Sequence, residues 1–372
     1  MVWIWSLILT SIITWPILGA KPTLANCSAP NIVCKAKSKV YNIRSFSPAA
    51  SAVRIGPELL VTNRHVVVNK TSAQLVTHFG EVLEAAVIPS KYPGDLILLR
   101  VKDLPEGTGL LPAALTSLDT VLYTVGFDIG RQAIRIYRSG LPTTLPISEK
   151  HLSRIHHNAQ SQPGNSGGAL IDSQGRLVGI VSAGGEGRHD AIPATSIKRL
   201  KAMSGEQYKV AHNRISLAYR QCMAATANAS QSRQTMTDNQ TDFIFDRCIA
   251  SNNRQLLDSA AQTLGRRGFF EKSIKLFKAS LSQDPGSLNT RLGLVVTLHL
   301  ARQYNEEVPH LRILLQKLPK NLQVLRFAIQ AGAWSETPAL ADKGMTLLKK
   351  HHPKLAPLAA RFRNTPSPRQ GR

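Results

Sequence analysis

Acidic residues are scarce in this sequence. Among its 372 residues, 23 Asp and Glu stand against 46 Lys and Arg, which gives a formal net charge of +23. A surplus of this size is typical of proteins that bind nucleic acid, work beside anionic membranes or receive acidic partners. Hydrophobic residues at 43% and charged residues at 19% are ordinary for a globular protein. These values exclude wholesale disorder, a collagen-like chain and a polytopic membrane protein, and the length predicts two domains.

Charged side chains are absent from the first twenty residues, which read MVWIWSLILTSIITWPILGA. Small residues at Ala20 and Ala25 offer cleavage points for a signal peptidase, so residues 1–25 are predicted to be a secretory signal. The protein is then expected to be exported, either to the periplasm or as a secreted protein. A retained membrane anchor is the alternative, because the stretch is about long enough to span a bilayer.

Cysteine is also scarce, with only Cys27, Cys34, Cys222 and Cys248 in the chain. An even number in an exported protein predicts two disulfides, and the pairs Cys27–Cys34 and Cys222–Cys248 are expected, although the sequence alone allows three pairings. Neither pair has zinc-like spacing with nearby histidines, so neither a metal nor another cofactor is expected.

Two textures divide the rest of the chain. From residue 40 to 203, short β-branched or alternating runs are separated by Gly and Pro, which predicts an all-β sandwich or barrel. The clearest predicted strands are Leu59–Thr62, Leu96–Val101, Val121–Gly126, Ala169–Asp172 and Leu177–Ser182. From residue 207 onward, longer amphipathic stretches predict helices.

The expected organisation follows these textures. It comprises an N-terminal segment with a cysteine pair at 26–39, a β-domain at 40–203, a helical connector at 204–250, helical repeats at 251–358 and a basic disordered tail at 359–372. Inside the connector, the small polar residues 224–242 are expected to form a loop or linker.

Three segments carry the candidate chemistry: V-T-N-R-H-V-V from residue 61, G-D-L-I-L-L-R-V from residue 94 and P-G-N-S-G-G from residue 163. They supply His65, Asp95 and Ser166 in that order, 30 and then 71 residues apart. An imidazole can remove the proton of a serine hydroxyl, and a carboxylate can hold that imidazole in the useful tautomer. Each segment alone could be an ordinary strand or turn, but their joint occurrence predicts a serine hydrolase.

The three segments resemble the His, Asp and Ser motifs of the trypsin-like, chymotrypsin-fold serine peptidases, and most of all those of the HtrA (Deg) branch. This resemblance implies a double β-barrel that cleaves protein or peptide substrates through an acyl-enzyme. A non-proteolytic scaffold or binding protein built on the same domain is the alternative, and an esterase is a third class. No PDZ pattern follows the motifs, so activation through such a domain is not expected.

The resemblance also assigns further roles. It places the oxyanion hole at Gly164, Asn165 and Ser166, and Gln160 near the floor of the primary substrate pocket. Ser182, Ala183 and Gly184 would form the edge strand that pairs with the substrate backbone. The histidines His156, His157 and His189 are expected on strand or loop surfaces.

Proline marks a period in the helical half, where Pro285, Pro319 and Pro353 are 34 and then 34 residues apart. This is the period of tetratricopeptide repeats, whose concave face binds peptides or partner proteins. A generic helical domain whose prolines end helices is the alternative.

The charge is concentrated in the same half. Residues 251–372 carry 20 basic and 7 acidic residues, a balance of +13. No nucleic-acid-binding motif accompanies them, so nucleic acid is not expected as a partner. An acidic protein partner or an anionic membrane surface is expected instead. Deletion of residues 251–372 is expected to spare hydrolysis of small peptides and to impair cleavage of proteins.

Overall fold

The computed structural model describes residues 27–115, 117–185, 188–232, 234–364 and 366. The predicted signal at 1–25 lies outside these residues. Within them, no helix combines the length and the apolar character that a membrane crossing requires.

The β-region is built from short strands that follow one another closely. In chain order these are β1 (Val40–Arg44), β2 (Ala50–Arg54), β3 (Leu59–Thr62), β4 (Ser72–Val76), β5 (Val82–Ile88), β6 (Ile97–Arg100), β7 (Leu122–Asp128), β8 (Ala133–Ile136), β9 (Pro142–Thr144), β10 (Ile155–His157), β11 (Ala169–Asp172), β12 (Leu177–Gly185) and β13 (Arg188–Pro193). The five predicted strands are therefore confirmed, two of them with the predicted ends.

These strands form two antiparallel units. The first is a closed barrel in the order β1-β2-β3-β6-β5-β4, and the second is a seven-stranded sheet in the order β8-β7-β11-β12-β13-β10-β9. Buried residues from both units, including Val53 and Val61 from the first and Val125 and Phe127 from the second, share one hydrophobic core. The predicted chymotrypsin-like β-fold, followed by a helical region, is confirmed.

Helices lie on either side of this β-region and continue to the C-terminus. They are α1 (Asn31–Ala36), α2 (Arg64–Val67), α3 (Ser196–Ala202), α4 (Lys209–Gln231), α5 (Asp238–Ser251), α6 (Arg254–Arg266), α7 (Phe270–Gln283), α8 (Leu288–Leu300), α9 (Tyr304–Lys317), α10 (Leu322–Trp334), α11 (Pro338–His351) and α12 (Ala356–Asn364).

Both predicted disulfides are present. Cys27–Cys34 closes the segment around α1, which places Val33 in the core of the β-region. Cys222–Cys248 joins α4 to α5. The linker expected at 224–242 is shorter than predicted, because α4 continues to Gln231 and a capping box formed by Thr237 and Gln240 starts α5.

The helices after residue 253 form pairs with a regular spacing. The first helices of three successive pairs, α6, α8 and α10, begin at residues 254, 288 and 322, which are 34 residues apart. Each is preceded by a polar residue whose side chain accepts from a backbone N–H in the first turn; these residues are Asn253, Ser287 and Asn321. The spacing agrees with the period seen in the sequence, and the assignment to tetratricopeptide repeats stays a prediction.

The C-terminal segment differs from the expectation. Residues 359–364 belong to α12, so the prediction of disorder from residue 359 is wrong for them. Basic residues dominate this stretch in the sequence, but Ala359 is buried and Phe362 packs against the apolar core formed with α10.

Candidate active site

His65 and Asp95 come together because β3 and β6 are antiparallel neighbours. Thr62 at the end of β3 pairs with Ile97 at the start of β6, so the residues after one strand lie beside those before the other. Backbone contacts hold the two segments in place: the Asn63 side chain and the Arg64 amide both donate to the Asp95 carbonyl, at 3.1 and 3.3 Å.

The Asp95 carboxylate holds His65 through two hydrogen bonds. The distance from His65 Nδ1 to Asp95 Oδ2 is 2.7 Å, and the His65 backbone N–H donates to Oδ1 at 3.0 Å. Asp95 is 1% exposed. Burial alone would raise the pKa of this carboxyl, but His65 and the charge of Arg154 hold its pKa below the ordinary value. The carboxylate therefore stays ionised and leaves Nε2 of the ring available as a base.

Ser166 lies on a sharp loop that needs glycine on both sides. Gly164 has φ +97° and Gly167 has φ +82°, values that disfavour residues with a side chain. A Cβ at Gly164 would collide with the Phe127 carbonyl, and one at Gly167 with the Ser51 carbonyl. The P-G-N-S-G-G sequence is therefore a conformational requirement of this loop.

Ser51, on β2, fixes the loop from the first barrel. Its backbone N–H donates to the Ser166 carbonyl and its hydroxyl donates to the Gly164 carbonyl, both at 2.8 Å. The same hydroxyl accepts from the Phe127 N–H at 2.8 Å. Sequence reasoning missed this residue, since a serine in a buried strand carries no recognisable motif.

The backbone N–H groups of Gly164 and Ser166 have no hydrogen-bond acceptor among the described residues. They are therefore the donors that can receive an oxyanion. Asn165 differs from the expectation, because its N–H donates to the Gln162 carbonyl at 3.0 Å. Its side chain braces the loop instead, with Nδ2 donating to the Phe127 carbonyl at 3.0 Å.

Ser182 connects the nucleophile to the acid. Its hydroxyl donates to Asp95 Oδ2 at 3.2 Å, and its carbonyl accepts from Ser166 Oγ at 3.3 Å. Within the described residues, no hydrogen bond joins Ser166 Oγ to His65. The hydroxyl must therefore turn away from Ser182 to reach the base, as is common in unliganded sites.

The predicted edge strand is arranged as expected in its backbone. The ladder between β11 and β12 ends at the pair Ala169–Ile180, whereas β12 continues and pairs Ala183 and Gly184 with β13 on its other side. In the described part of the chain, the β11 side of residues 182–184 has no strand neighbour. This edge can add a substrate strand.

Gln160 and the three histidines differ from expectation. The Gln160 side chain is exposed, so it is not buried beneath a pocket. His157 and His189 are buried on adjacent strands with ring centroids 5.8 Å apart, and burial, with the charge of His189, lowers the pKa of His157 to about 3. No cluster of His, Cys, Asp or Glu in the described residues is arranged to hold a metal ion.

The helical region contacts the residue beside the base. The Arg64 guanidinium is fully buried and donates to the carbonyls of Ser90 and Tyr92 at 3.1 Å. Its Nη1 lies 3.2 Å from Nδ1 of His212 on α4. Burial and the charge of Arg64 lower the pKa of His212 to about 4, so the neutral ring accepts this hydrogen bond. Sequence reasoning missed this contact.

A second buried ionic contact joins the regions at the end of α7. Asp284 is fully buried and accepts from His156 Nε2 at 2.9 Å and from the Ser153 hydroxyl at 3.4 Å. Arg254, at the start of α6, is also buried and pairs with Asp190 on β13 and with Asp284. The surface expected for His156 is thus an interface between the two regions.

A groove opens along this interface, with a volume of about 670 Å³. The residues of its wall that bear on its charge and position are Arg188, Asp190, Gln255, Asp258, Arg266 and Asn289. Arg188 Nε donates to Asn289 Oδ1 at 2.5 Å, which closes one end of the groove between β13 and α8.

Known proteins share the β-region. The sequence family described as "Trypsin-like peptidase domain" matches residues 50–180. The β-region is a trypsin-like serine peptidase domain. The periplasmic serine endoprotease DegP of Escherichia coli K12 is 29% identical over 161 residues, covering 41% of this chain and 34% of that protein. The serine protease Do-like HtrA of Bacillus subtilis is 28% identical over 158 residues, covering 38% of this chain and 35% of that protein.

Among solved structures, the peptidase domain is similar to the HtrA-type protease AlgW with tripeptide, at 24% identity and a TM-score of 0.41, covering 46% of this chain and 62% of that one. The chain spans about a third of the length of the curated relatives it matches. These relatives agree with the resemblance to the HtrA branch, and their matches account for the peptidase domain rather than for the helical region.

Proposed function

We propose that this protein is a serine endopeptidase that cleaves protein substrates with His65 as base, Asp95 as its orienting acid and Ser166 as nucleophile. The observation that carries the proposal is the 2.7 Å contact between His65 Nδ1 and Asp95 Oδ2, connected through Ser182 to the Ser166 loop. The relatives are described as serine endoproteases, which supports the same reaction.

The proposed reaction begins when Ser166 Oγ attacks the carbonyl carbon of the scissile peptide and His65 Nε2 takes the hydroxyl proton. The carbonyl oxygen becomes an oxyanion that the N–H groups of Gly164 and Ser166 stabilise, by about 3–4 kcal/mol per donor. The C–N bond then breaks as His65 protonates the leaving amine. Water, deprotonated by His65, hydrolyses the acyl-enzyme and releases Ser166 and a carboxylic acid.

Labelling with a fluorophosphonate probe tests this function, because the probe reacts with an activated serine. The unchanged protein is expected to be labelled and Ser166→Ala to remain unlabelled. Absence of labelling in the unchanged protein, or equal labelling of Ser166→Ala, would favour the non-proteolytic scaffold. Rates on casein and on a short-chain ester separate a peptidase from an esterase.

The helical region is proposed to recruit protein substrates through the groove. Gly185 on β12 pairs with Arg188 on β13, and Arg188 lines the groove, so a chain laid along residues 182–184 leads towards it. The groove's two carboxylates, Asp190 and Asp258, both pair with Arg254. Since these acids are compensated internally, Arg266 and the positive balance of the helical region favour acidic segments of a substrate.

Reversal of one groove charge tests recruitment. Arg266→Glu is expected to lower kcat/KM on casein, an acidic protein, by about 5-fold relative to its effect on a short neutral peptide, the size of one modest charge contact. The matched control is Arg312→Glu, an exposed position on α9 outside the groove. Equal ratios for both variants would contradict recruitment by the groove, and binding of both proteins to anionic vesicles rather than casein would favour a membrane surface.

Export is proposed from the apolar N-terminal stretch and from the relatives described as periplasmic. Both cysteine pairs form disulfides, which are typical of proteins that fold in oxidising compartments. N-terminal sequencing of the protein after cell fractionation distinguishes a cleaved signal from a retained anchor.

A further inference from the structure

A chain of hydrogen bonds runs from the helical region to the base. The Gln255 side chain on α6 donates from Nε2 to Ser182 Oγ at 3.1 Å. Ser182 Oγ donates to Asp95 Oδ2 at 3.2 Å, and Asp95 Oδ2 lies 2.7 Å from His65 Nδ1. Gln255 is the member of this chain that comes from outside the peptidase domain.

The direction of this chain follows from its chemistry. An ionised carboxylate can only accept, so the hydroxyl proton of Ser182 is committed to Asp95. The Ser182 oxygen must then accept its second hydrogen bond, and the amide nitrogen of Gln255 supplies the donor. A donor at this place polarises the hydroxyl and strengthens its bond to Asp95.

The start of α6 is fixed against the back of the catalytic centre. The Asn253 side chain donates to the Tyr219 hydroxyl at 2.9 Å, and Asn252 Nδ2 lies 3.4 Å from the carbonyl of Pro93, two residues before Asp95. Arg254 adds its buried pairs with Asp190 and Asp284. Gln255 is therefore delivered by a rigid element and is itself half-buried.

We propose that Gln255 is a positioning residue of the catalytic triad: it holds the Ser182 hydroxyl on Asp95, and through Asp95 it keeps His65 oriented. This inference rests on the proposed peptidase function and deepens it. It makes the helical region a contributor to the chemistry of the site as well as to the groove, whose wall also contains Gln255.

The charged surroundings determine what a new charge at position 255 does. The groups that face Asp95 are His65, Arg64, Tyr92, Arg154 and Tyr219. Around Gln255, the groove wall presents Arg188, Asp190, Arg254 and Asp258. A carboxylate at position 255 would accept the Ser182 proton and remove it from Asp95, and its negative charge would favour the imidazolium form of His65.

The test is the pH profile of kcat/KM for a short peptide, measured on the full-length protein. In Gln255→Glu, we expect the acid limb, where His65 must lose its proton, to move up by about one pH unit, given a charge no more than about 9 Å away and an effective dielectric of about 20. Gln255→Met removes the donor without adding charge, and we expect kcat to fall about 3- to 10-fold with a smaller change in KM. Gln316→Glu, an exposed position on α9, is the matched control and should follow the unchanged protein.

An acid limb in Gln255→Glu that coincides with that of Gln316→Glu would overturn the inference. If Gln255→Glu does not fold, Gln255→Met decides the matter, and an unchanged kcat in the folded variant would also overturn it. Failure of the peptidase proposal is distinguishable, because in that case the unchanged protein itself is neither labelled by fluorophosphonate nor active on the peptide.

Discussion

The peptidase domain and the helical region are held in shape by contacts of different range. In the helical region, Asn253 caps α6 by accepting from the Leu256 amide, a contact between residues 3 apart. In the peptidase domain, the Ser51 hydroxyl fixes the nucleophile loop at Gly164, a contact between residues 113 apart. Local contacts repeat along a chain and appear in its sequence as a period. Contacts between distant residues leave no such pattern, so the supports of the active site can be found only in the fold.

Asp284 is where the two kinds of structure meet, and its removal should have the largest effect. Asp284→Ala leaves His156 without its partner and removes one of the carboxylates around the buried Arg254, so we expect the free energy of unfolding to fall by about 3 kcal/mol. Peptide hydrolysis should fall too, because α6 and Gln255 lose an anchor. Urea unfolding and kcat/KM on a short peptide measure the two effects.

The control for this change is Asp342→Ala on α11, where the carboxylate pairs with Arg363 at the surface. Exposed ion pairs contribute little to stability, so this variant should unfold like the unchanged protein. If both variants lose equal stability, the comparison between a buried interface and a solvated helix face fails.

The same carboxyl makes the interface sensitive to acid. Burial alone would raise the pKa of Asp284, but its hydrogen bond from His156 and the charges of His156, Arg254 and Arg154 hold its pKa below the ordinary value. The folded protein therefore binds this proton less readily than the unfolded chain. The stabilisation is complete above the ordinary pKa of about 3.9 and is lost as the pH falls through the folded value. Asp284→Asn should make the free energy of unfolding depend less steeply on pH in this acidic range.

A smaller effect would sharpen the idea that the repeats are locally encoded. Gly268, Arg302 and Glu336, spaced 34 residues apart, occupy the turns between paired helices with φ of +86°, +61° and +53°. Because residues with a Cβ are disfavoured there, Glu336→Gly should raise the free energy of unfolding by about 0.5–1 kcal/mol. Glu336→Ala keeps the Cβ and serves as the control. Thermal unfolding that ranks the alanine variant at or above the glycine variant would contradict this reading of the turn.

Much of the fold could be predicted because its signals are local. Alternation and turn residues gave the strands, and the proline spacing gave the helix pairs. The two disulfides followed from the positions of four cysteines. The tail was mispredicted because the basic residues of α12 obscured the contacts of Ala359 and Phe362.

The active site was predicted only as far as its motifs reach. His65, Asp95 and Ser166 lie in recognisable segments, and the structure connects them through Ser182. Ser51 and Gln255 could not be found, since each acts through a partner that is distant in sequence. The expectation that residues 251–372 can be deleted without loss of peptide hydrolysis also assumed separable domains. That deletion removes Gln255 and Asp284, so it cannot test recruitment alone.

The position of Gln255, Arg254 and Asp284 along the chain has a consequence for biosynthesis. A ribosome completes Ser166 well before it reaches these residues, and a nascent peptidase domain cannot make its contacts with them. The catalytic centre gains its full set of partners only after synthesis has passed residue 284 and α6 and α7 have docked. The order of the sequence therefore delays full assembly of the site until most of the polypeptide exists.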